Sequence, residues 1–389
     1  MQDAYDVVII GGAMTGSSAA FWLTRNPDFT GRVLVVERDP TYAWAATTHT
    51  NSCIRLQYGS EVNVRISRFA GDFIHQFKEY MQDDAAPDIV LQNFGYLYLA
   101  NTPAFLDVLR DNAQMQRALG AETQILTPDE IAALFPFYNL DGILGGSFNT
   151  KDEGYFDGGT MFDWLRIKAR AQGATFLTDT VTAISADNRI TLASGRTISA
   201  GHIINAAGTR GAEVAAMAGL RIPIEARRRF TFIAEAARPL PVDLPLTIDP
   251  VGVHMRSDGR YYMIGCPPDL DVAVDPDDFT MDHAIWEDHV WPTIAARIPA
   301  FEELRLINTW VGHYDYNTLD QNAIIGPHPE RRNFLFANGF SGHGLQQAPA
   351  VGRALSELVI YCATRTLDLG ALGYERIASG TPLRERAII

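Results

Sequence analysis

Residues 5–24 read Y-D-V-V-I-I-G-G-A-M-T-G-S-S-A-A-F-W-L-T, and they decide the fold. Tyr5–Ile10 is a short apolar run, the pattern of a strand buried on both faces of a parallel sheet. Gly11, Gly12, Ala13, Met14, Thr15 and Gly16 form a glycine-rich turn, and small residues follow where a helix must lie close to the sheet. A second apolar run, Arg32–Glu37, ends in an acid 21 residues beyond Gly16, with Arg38 beside it. Together these make a dinucleotide-binding unit. The glycines allow close approach to a pyrophosphate, the helix N-terminus offers it positive charge, and Glu37 accepts hydrogen bonds from a ribose. Ala13 stands where the usual G-x-G-x-x-G has its middle glycine, which narrows the approach without closing it.

A second glycine loop, N-G-F-S-G-H-G-L-Q-Q-A-P, occupies Asn338–Pro349 between an apolar run (333–337) and a helical pattern (351–360). Strand, glycine loop and helix aim the backbone N–H groups of Gly342, His343, Gly344 and Leu345 at one place, with Gly339 and Gln346 beside them. That arrangement stabilises negative charge on an electron-poor ring. After Glu37 the strand–helix alternation stops. An irregular stretch, Thr41–Arg55, offers polar contacts at Thr47, Thr48, Ser52 and Cys53. Further on, Val181–Ser185, Ile190–Leu192 and Thr197–Ile198 read as a meander, and Val181 is a candidate contact. The strand His202–Gly208 then ends in Ala207 and Gly208, whose lack of bulk lets a ligand lie across its tip. A nucleotide domain assembled from three separated segments fits a cofactor buried along its whole length, which selects FAD over NAD. The expected class is α/β, with a Rossmann-type FAD-binding domain from residues 1–80, 151–220 and 309–389.

A formal charge of −14 on 389 residues argues against nucleic acid or an anionic membrane as partner. Only Lys78, Lys151 and Lys168 are lysines among 32 basic residues. The 3 cysteines stand far apart, so a disulfide framework or zinc site is not expected. With no apolar stretch near 18 residues and no leader pattern, the expectation is a cytoplasmic protein without a transmembrane segment.

Four stretches, V-V-I-I-G-G-A-M-T-G, D-E-G-Y-F-D-G (152–158), I-I-N-A-A-G and N-G-F-S-G-H-G-L, together resemble the D-amino-acid-oxidase-like superfamily of FAD oxidoreductases. Within it the chain is similar to the branch of sarcosine oxidase and the dimethylglycine and sarcosine dehydrogenases. Residues 310–349 are similar, more narrowly, to the mitochondrial FAD-dependent oxidoreductase-domain family tied to assembly of respiratory complex I. The resemblance implies a second, α+β substrate domain from 81–150 and 221–308, whose large mixed, mainly antiparallel sheet roofs the flavin. Arg227–Glu235 reads as one of its strands, and Gly252–Gly265 as a hairpin turning at Ser257-Asp-Gly. Candidate substrate contacts there are His254, Arg256 and Tyr262.

The resemblance also implies that Arg55 binds a substrate carboxylate; His49 and His343 are read from the sequence as candidates to adjust the charge of the ring. His313, next to Gly312, stands where the oxidase has a cysteine tether; it can carry a histidyl bond, although non-covalent FAD is the plainer expectation. Gln346 replaces a second carboxylate-binding lysine. No lysine lies beyond Lys168, so none occupies the strand near Met263 that promotes reaction with O₂ in the oxidases. The reading is therefore an FAD-dependent dehydrogenase for a small carboxylate-bearing secondary amine, passing electrons to an acceptor other than O₂. The alternatives are a 2-hydroxy acid or D-amino acid dehydrogenase, and an FAD-loaded assembly protein with vestigial activity.

Overall fold

The computed structural model describes residues 3–386. The apolar run that opens the chain folds as Ala4–Ile10, in the middle of the first of two eight-stranded sheets. Its neighbours are Val33–Glu37 and Thr197–Asn205, both parallel, with Thr175–Thr178 and Arg331–Asn338 continuing the parallel order outward. Ile324–His328 adds an antiparallel edge. The expected meander and the separate strand at His202 prove to be one element. Thr197–Asn205 pairs first with Arg189–Thr191 and then runs on beside Ala4–Ile10. Gly201 makes that possible, because a Cβ there would sit 2.7 Å from the Asp6 carbonyl oxygen.

Two long helices cover one face of this sheet, and their contact explains the small residues of the opening stretch. Met14–Arg25 crosses Gly344–Tyr361, which begins well before the pattern legible from Val351. Ser18 Oγ donates to the Ala348 carbonyl at 2.7 Å. A Cβ on Gly352 would lie 2.2 Å from Ser18 Oγ and 2.6 Å from the Ser18 carbonyl carbon.

The second sheet runs in the order 304–317, 224–236, 261–266, 254–258, 246–248, 96–100, 145–149, 124–126. All its pairings are antiparallel except that of Leu246–Ile248 with Tyr96–Ala100. Residue 309, expected as a domain boundary, falls inside the strand Leu304–Asn317. The hairpin turns at Gly259-Arg260 and not at Ser257: Asp258 pairs with Tyr261, and Gly259 has φ +61°, as the first position of a type II′ turn requires.

Strand parity decides which side chains face the first sheet. His254 and Arg256 lie opposite Gly265 and Met263, whereas Tyr262 lies opposite Ser257 on the other face. Tyr262 is thus no substrate contact. Its ring packs 4.6 Å from that of Phe301 in the core behind the sheet, and its hydroxyl accepts from Leu240 N at 2.9 Å. Among the described residues no helix is long and apolar enough to cross a membrane.

Because the Gly352 contact is with backbone, Gly352→Ala must push the two helices apart, costing ~1–3 kcal/mol. Thermal melting of the purified variant should show a Tm lowered by several degrees; an unchanged Tm would mean the crossing is looser than described.

Candidate active site

One cleft between the sheets is lined at one end by Glu37, Arg38 and Val181 and at the other by Arg55, His254 and His343. At the first end Gly11 turns with φ +98°, and a Cβ there would meet the Ala206 carbonyl oxygen at 2.3 Å. Gly16 lies so close beneath the turn that its Cβ would be 1.9 Å from the Gly11 oxygen. Glu37 accepts the Gly12 N–H at 2.8 Å, and Thr47 Oγ1 accepts that of Met14 at 3.2 Å. The helix that follows has Ala13 at its N-cap and no side-chain cap. Apart from the Met14 N–H taken by Thr47, its first-turn N–H groups and positive end are left toward the cleft that Ala13, Met14 and Thr15 line. Gly208, with φ +54° and nothing within 4 Å of a built Cβ, leaves open the path over the strand tip beside Ala207.

At the far end His343 caps Gly344–Tyr361 without a side-chain cap bond, so a second helix N-terminus opens on the same cleft. Gly342 has φ +97°, and a Cβ on it would lie 2.4 Å from the Tyr314 ring. Asp315 holds the loop from below: its carboxylate accepts Gly339 N at 2.8 Å, and burial pushes its pKa up to about 6. An open groove, two uncapped helix N-termini and an acid at the ribose position fit FAD.

Arg55 dominates the far end. It is 1% exposed, and its Nη2 donates to His343 Nε2 at 2.9 Å. The guanidinium lies over the Tyr58 ring at 4.4 Å and that of Tyr98 at 5.7 Å. Its Nη1 is buried without a hydrogen-bond partner, and no acid among the described residues forms an ion pair with it. Burial and the Arg55 charge push the His343 pKa down to about 3, so its imidazole is neutral. Gln346 does not reach toward a substrate. Its Oε1 accepts Arg55 N at 2.9 Å, and its amide donates to the Tyr58 hydroxyl.

The remaining expected residues divide by position. Ala13, Met14, Thr15, Thr47, Cys53, Gly312 and Leu345 line the cleft, as do His49 and His313. His313 Nε2 donates to the Asp278 carbonyl at 2.9 Å, and burial lowers its pKa. Arg38 lines the cleft too and pairs with Asp277, another lining residue, 3.1 Å away. Gly12, Gly16, Thr48, Ser52 and Gly339 do not line the cleft and shape its walls instead. Thr48 Oγ1 donates to the Tyr42 and Ala45 carbonyls, each at 2.8 Å, and the Ser52 carbonyl accepts Phe156 N at 3.0 Å. Arg256 is buried behind the lining, with its Nη2 on the Asn51 carbonyl at 3.1 Å and its Nη1 on Asp258 at 2.9 Å. It braces the Asn51 loop. His254 does line the cleft; Asn51 Nδ2 lies 3.2 Å from its Nε2, and burial pushes its pKa down to about 4. Tyr58, Tyr98 and Asn51 went unread, although Y-L-Y-L-A (96–100) does alternate as a strand offering two tyrosines to one face.

A family model described as FAD dependent oxidoreductase, DAO, matches residues 6–358. The chain belongs to that family. It is 35% identical to FAD-dependent oxidoreductase domain-containing protein 1 of Bos taurus, over 99% of this chain and 87% of that protein. Mitochondrial dimethylglycine dehydrogenase of Mus musculus is 25% identical over 92% of this chain, which spans 43% of that longer protein. Among solved structures, L-proline dehydrogenase from P. horikoshii superposes with a TM-score of 0.84 at 24% identity, covering 98% of this chain and 99% of that one. The protein is an FAD-dependent oxidoreductase, and the cleft is where its residues fit the cofactor.

Gly11→Ala would place a methyl against the Ala206 carbonyl at a φ that L-residues avoid. The variant should purify with FAD content reduced at least about tenfold, read from the absorbance near 450 nm, since one lost pyrophosphate contact and a shifted turn cost ~1.4 kcal/mol or more. A fully yellow variant would show that this turn does not hold the pyrophosphate.

Proposed function

We propose that the protein is a dehydrogenase of small carboxylate-bearing secondary amines, with Arg55 as the carboxylate anchor. The observation that carries the reading is that Arg55, which lines the cleft, has a buried Nη1 without a hydrogen-bond partner. A guanidinium kept from water without an acid partner is a site built for an incoming anion, and its planar fork suits a carboxylate. A protein that only carried FAD as a scaffold would tolerate a plugged pocket here; this cleft instead runs on to Arg55, His254 and His343. The named substrates of two relatives are N-methylated amino acids: dimethylglycine is a tertiary amine, and sarcosine, a carboxylate-bearing secondary amine, supports the class.

When bound, FAD supplies the hydride acceptor for the C–H bond beside the substrate nitrogen. Everything else falls to the chain. Arg55 fixes the carboxylate end and thereby the distance of that C–H bond from the loop at Gly342. His343 takes one Arg55 N–H and stays uncharged, so it adds no second cation next to the anchor. His254, also uncharged, closes the roof side without repelling an amine. The helix that begins at Gly344 turns its N-terminus to the cleft and supports negative charge on the ring. Among the described residues no acid forms an ion pair with the Arg55 side chain, which fits an oxidation that needs no strong base once the amine is neutral. Because no lysine follows Lys168, we assign re-oxidation to an acceptor other than O₂.

Anaerobic addition of N-alkyl amino acids should bleach the flavin band, with D-amino acids and 2-hydroxy acids much slower; air should restore the colour slowly. Bleaching by 2-hydroxy acids alone would overturn the amine reading. Arg55→Met should raise KM for the carboxylate substrate by about 30-fold or more, the ~2–5 kcal/mol lost when one partner of a buried charge pair is truncated. Its Tm should hold or rise, because an uncompensated buried charge has been removed. An Arg55→Met enzyme with unchanged KM would remove Arg55 from the substrate site.

A further inference from the structure

Glu153 is 0% exposed, and no step above uses it. It stands in D-E-G-Y-F-D-G, where the chain makes a forced approach: Gly154 has φ +147°, and a Cβ on it would lie 1.9 Å from the Gln92 carbonyl oxygen. Beyond it, Ile54 pairs with Gly154 and Cys53 with Tyr155, so the segment carrying Arg55 is laid directly alongside. The Glu153 carboxylate then grips the two residues that follow Arg55. Its Oε1 accepts Leu56 N at 2.6 Å and Gln57 N at 2.9 Å, and its Oε2 accepts Gln57 Nε2 at 2.8 Å. Gln57 passes the constraint to the roof sheet, since Nε2 also donates to the Tyr96 carbonyl at 3.0 Å and Oε1 accepts from Ser147 Oγ at 2.5 Å.

We infer that Glu153 is the positioning residue for the Arg55 anchor, setting the height of its guanidinium between the flavin side and the roof by holding Leu56 and Gln57. The inference rests on Arg55 being the carboxylate site. Arg55 receives its position from Gln346 on its own N–H and from Glu153 on the next two, and no acid pairs with its side chain. Three hydrogen bonds from one buried carboxylate fix a backbone more firmly than neutral acceptors would.

Ionisation of Glu153 is what makes both oxygens acceptors. Burial pushes its pKa up to about 7, against the lowering influence of Gln57, Leu56 N, Asn149 and Arg55. The other polar groups around it are Tyr58 from the Arg55 segment, Tyr96 and Ser147 from the roof strands, and Gly95 N on its own carbonyl. Protonation puts a hydrogen on an oxygen that already faces a donor, so the Gln57 link breaks as pH falls through that value. His343 and His254 titrate well below this window.

The test titrates the oxidised holoenzyme with propanoate, following the flavin spectrum, with propanamide as the uncharged control. Wild type should bind propanoate about tenfold more weakly at pH 6 than at pH 8, a shift read as Kd. Glu153→Gln, which mimics the protonated acid, should bind weakly at both pH values and show no pH dependence. Folding raises the Glu153 pKa, so its charge costs stability as pH rises through about 7, and the variant's Tm at pH 8 should not fall. A fallen Tm with unchanged propanoate affinity would reduce Glu153 to a structural role. A pH-independent wild-type Kd overturns the inference even where the variant fails to fold. Should propanoate and propanamide perturb wild type alike, the Arg55 reading itself fails and this inference with it. If Arg55→Met abolishes propanoate binding and Glu153→Gln leaves it intact, only the present inference is lost.

Discussion

A guanidinium at 1% exposure with no acid to neutralise it constrains everything around it. Moving an ion out of water costs several kcal/mol unless its hydrogens find acceptors and its charge finds compensation. Here the compensation comes from faces and lone pairs. Two tyrosine rings lie against the guanidinium, and a histidine held neutral by that same charge accepts one of its hydrogens. Exposed cation–π contacts are worth ~0.5–1 kcal/mol, and more when desolvated, so these offset part of the cost and leave the rest to a ligand. The consequence reaches well beyond the site. Tyr98 comes from the roof sheet, His343 from the helix of the C-terminal loop and Tyr58 from the Arg55 segment itself, so both sheets must meet at this point.

The two glycine loops serve that meeting. Each ends a parallel strand of the first sheet and starts a helix whose N-terminus is left without a side-chain cap. In most helices such an end is satisfied by Ser, Thr, Asp or Asn. Here Ala13 and His343 take the position, and neither supplies a cap bond. The helices themselves are locked by a backbone-to-backbone approach at Gly352, which fixes the two N-termini at a constant separation. Rigid spacing is what a long cofactor requires when it must present its ring to a carboxylate anchor held elsewhere.

How much of this was legible follows from how local each signal is. Tyr5–Gly16 and Asn338–Pro349 declare themselves, because glycine spacing, strand run and helix pattern all fall within about 20 residues. The mixed, mainly antiparallel roof followed from family likeness, and its strand at 224–236 from alternation. Parity did not follow: Tyr262 alternates as well as His254 does, and only the register across the hairpin sends one to the core and the other to the cleft. The long strand 197–205 was read as two pieces, and the Gly201 between them marks a crossing over Asp6. Arg55 was found through likeness alone, since a single arginine in an irregular loop carries no pattern. Glu153 lay inside a quoted motif, yet its role depends on the pairing of Ile54 with Gly154, a hundred residues apart in sequence.

The charges around the anchor point one way. The imidazoles nearest Arg55 and the roof are held neutral by burial, the buried acids Glu153 and Asp315 are raised toward neutrality, and Arg256 is paired with Asp258. Among the described residues that leaves Arg55 as the charge in the proposed substrate end that still needs a partner. A site with two free cations would select a dicarboxylate, and one with a free acid would select a substrate's ammonium. On the proposed reading, one guanidinium without an ion-pair partner suits a monocarboxylate whose nitrogen enters uncharged, the protonation state from which a C–H bond beside nitrogen gives up hydride.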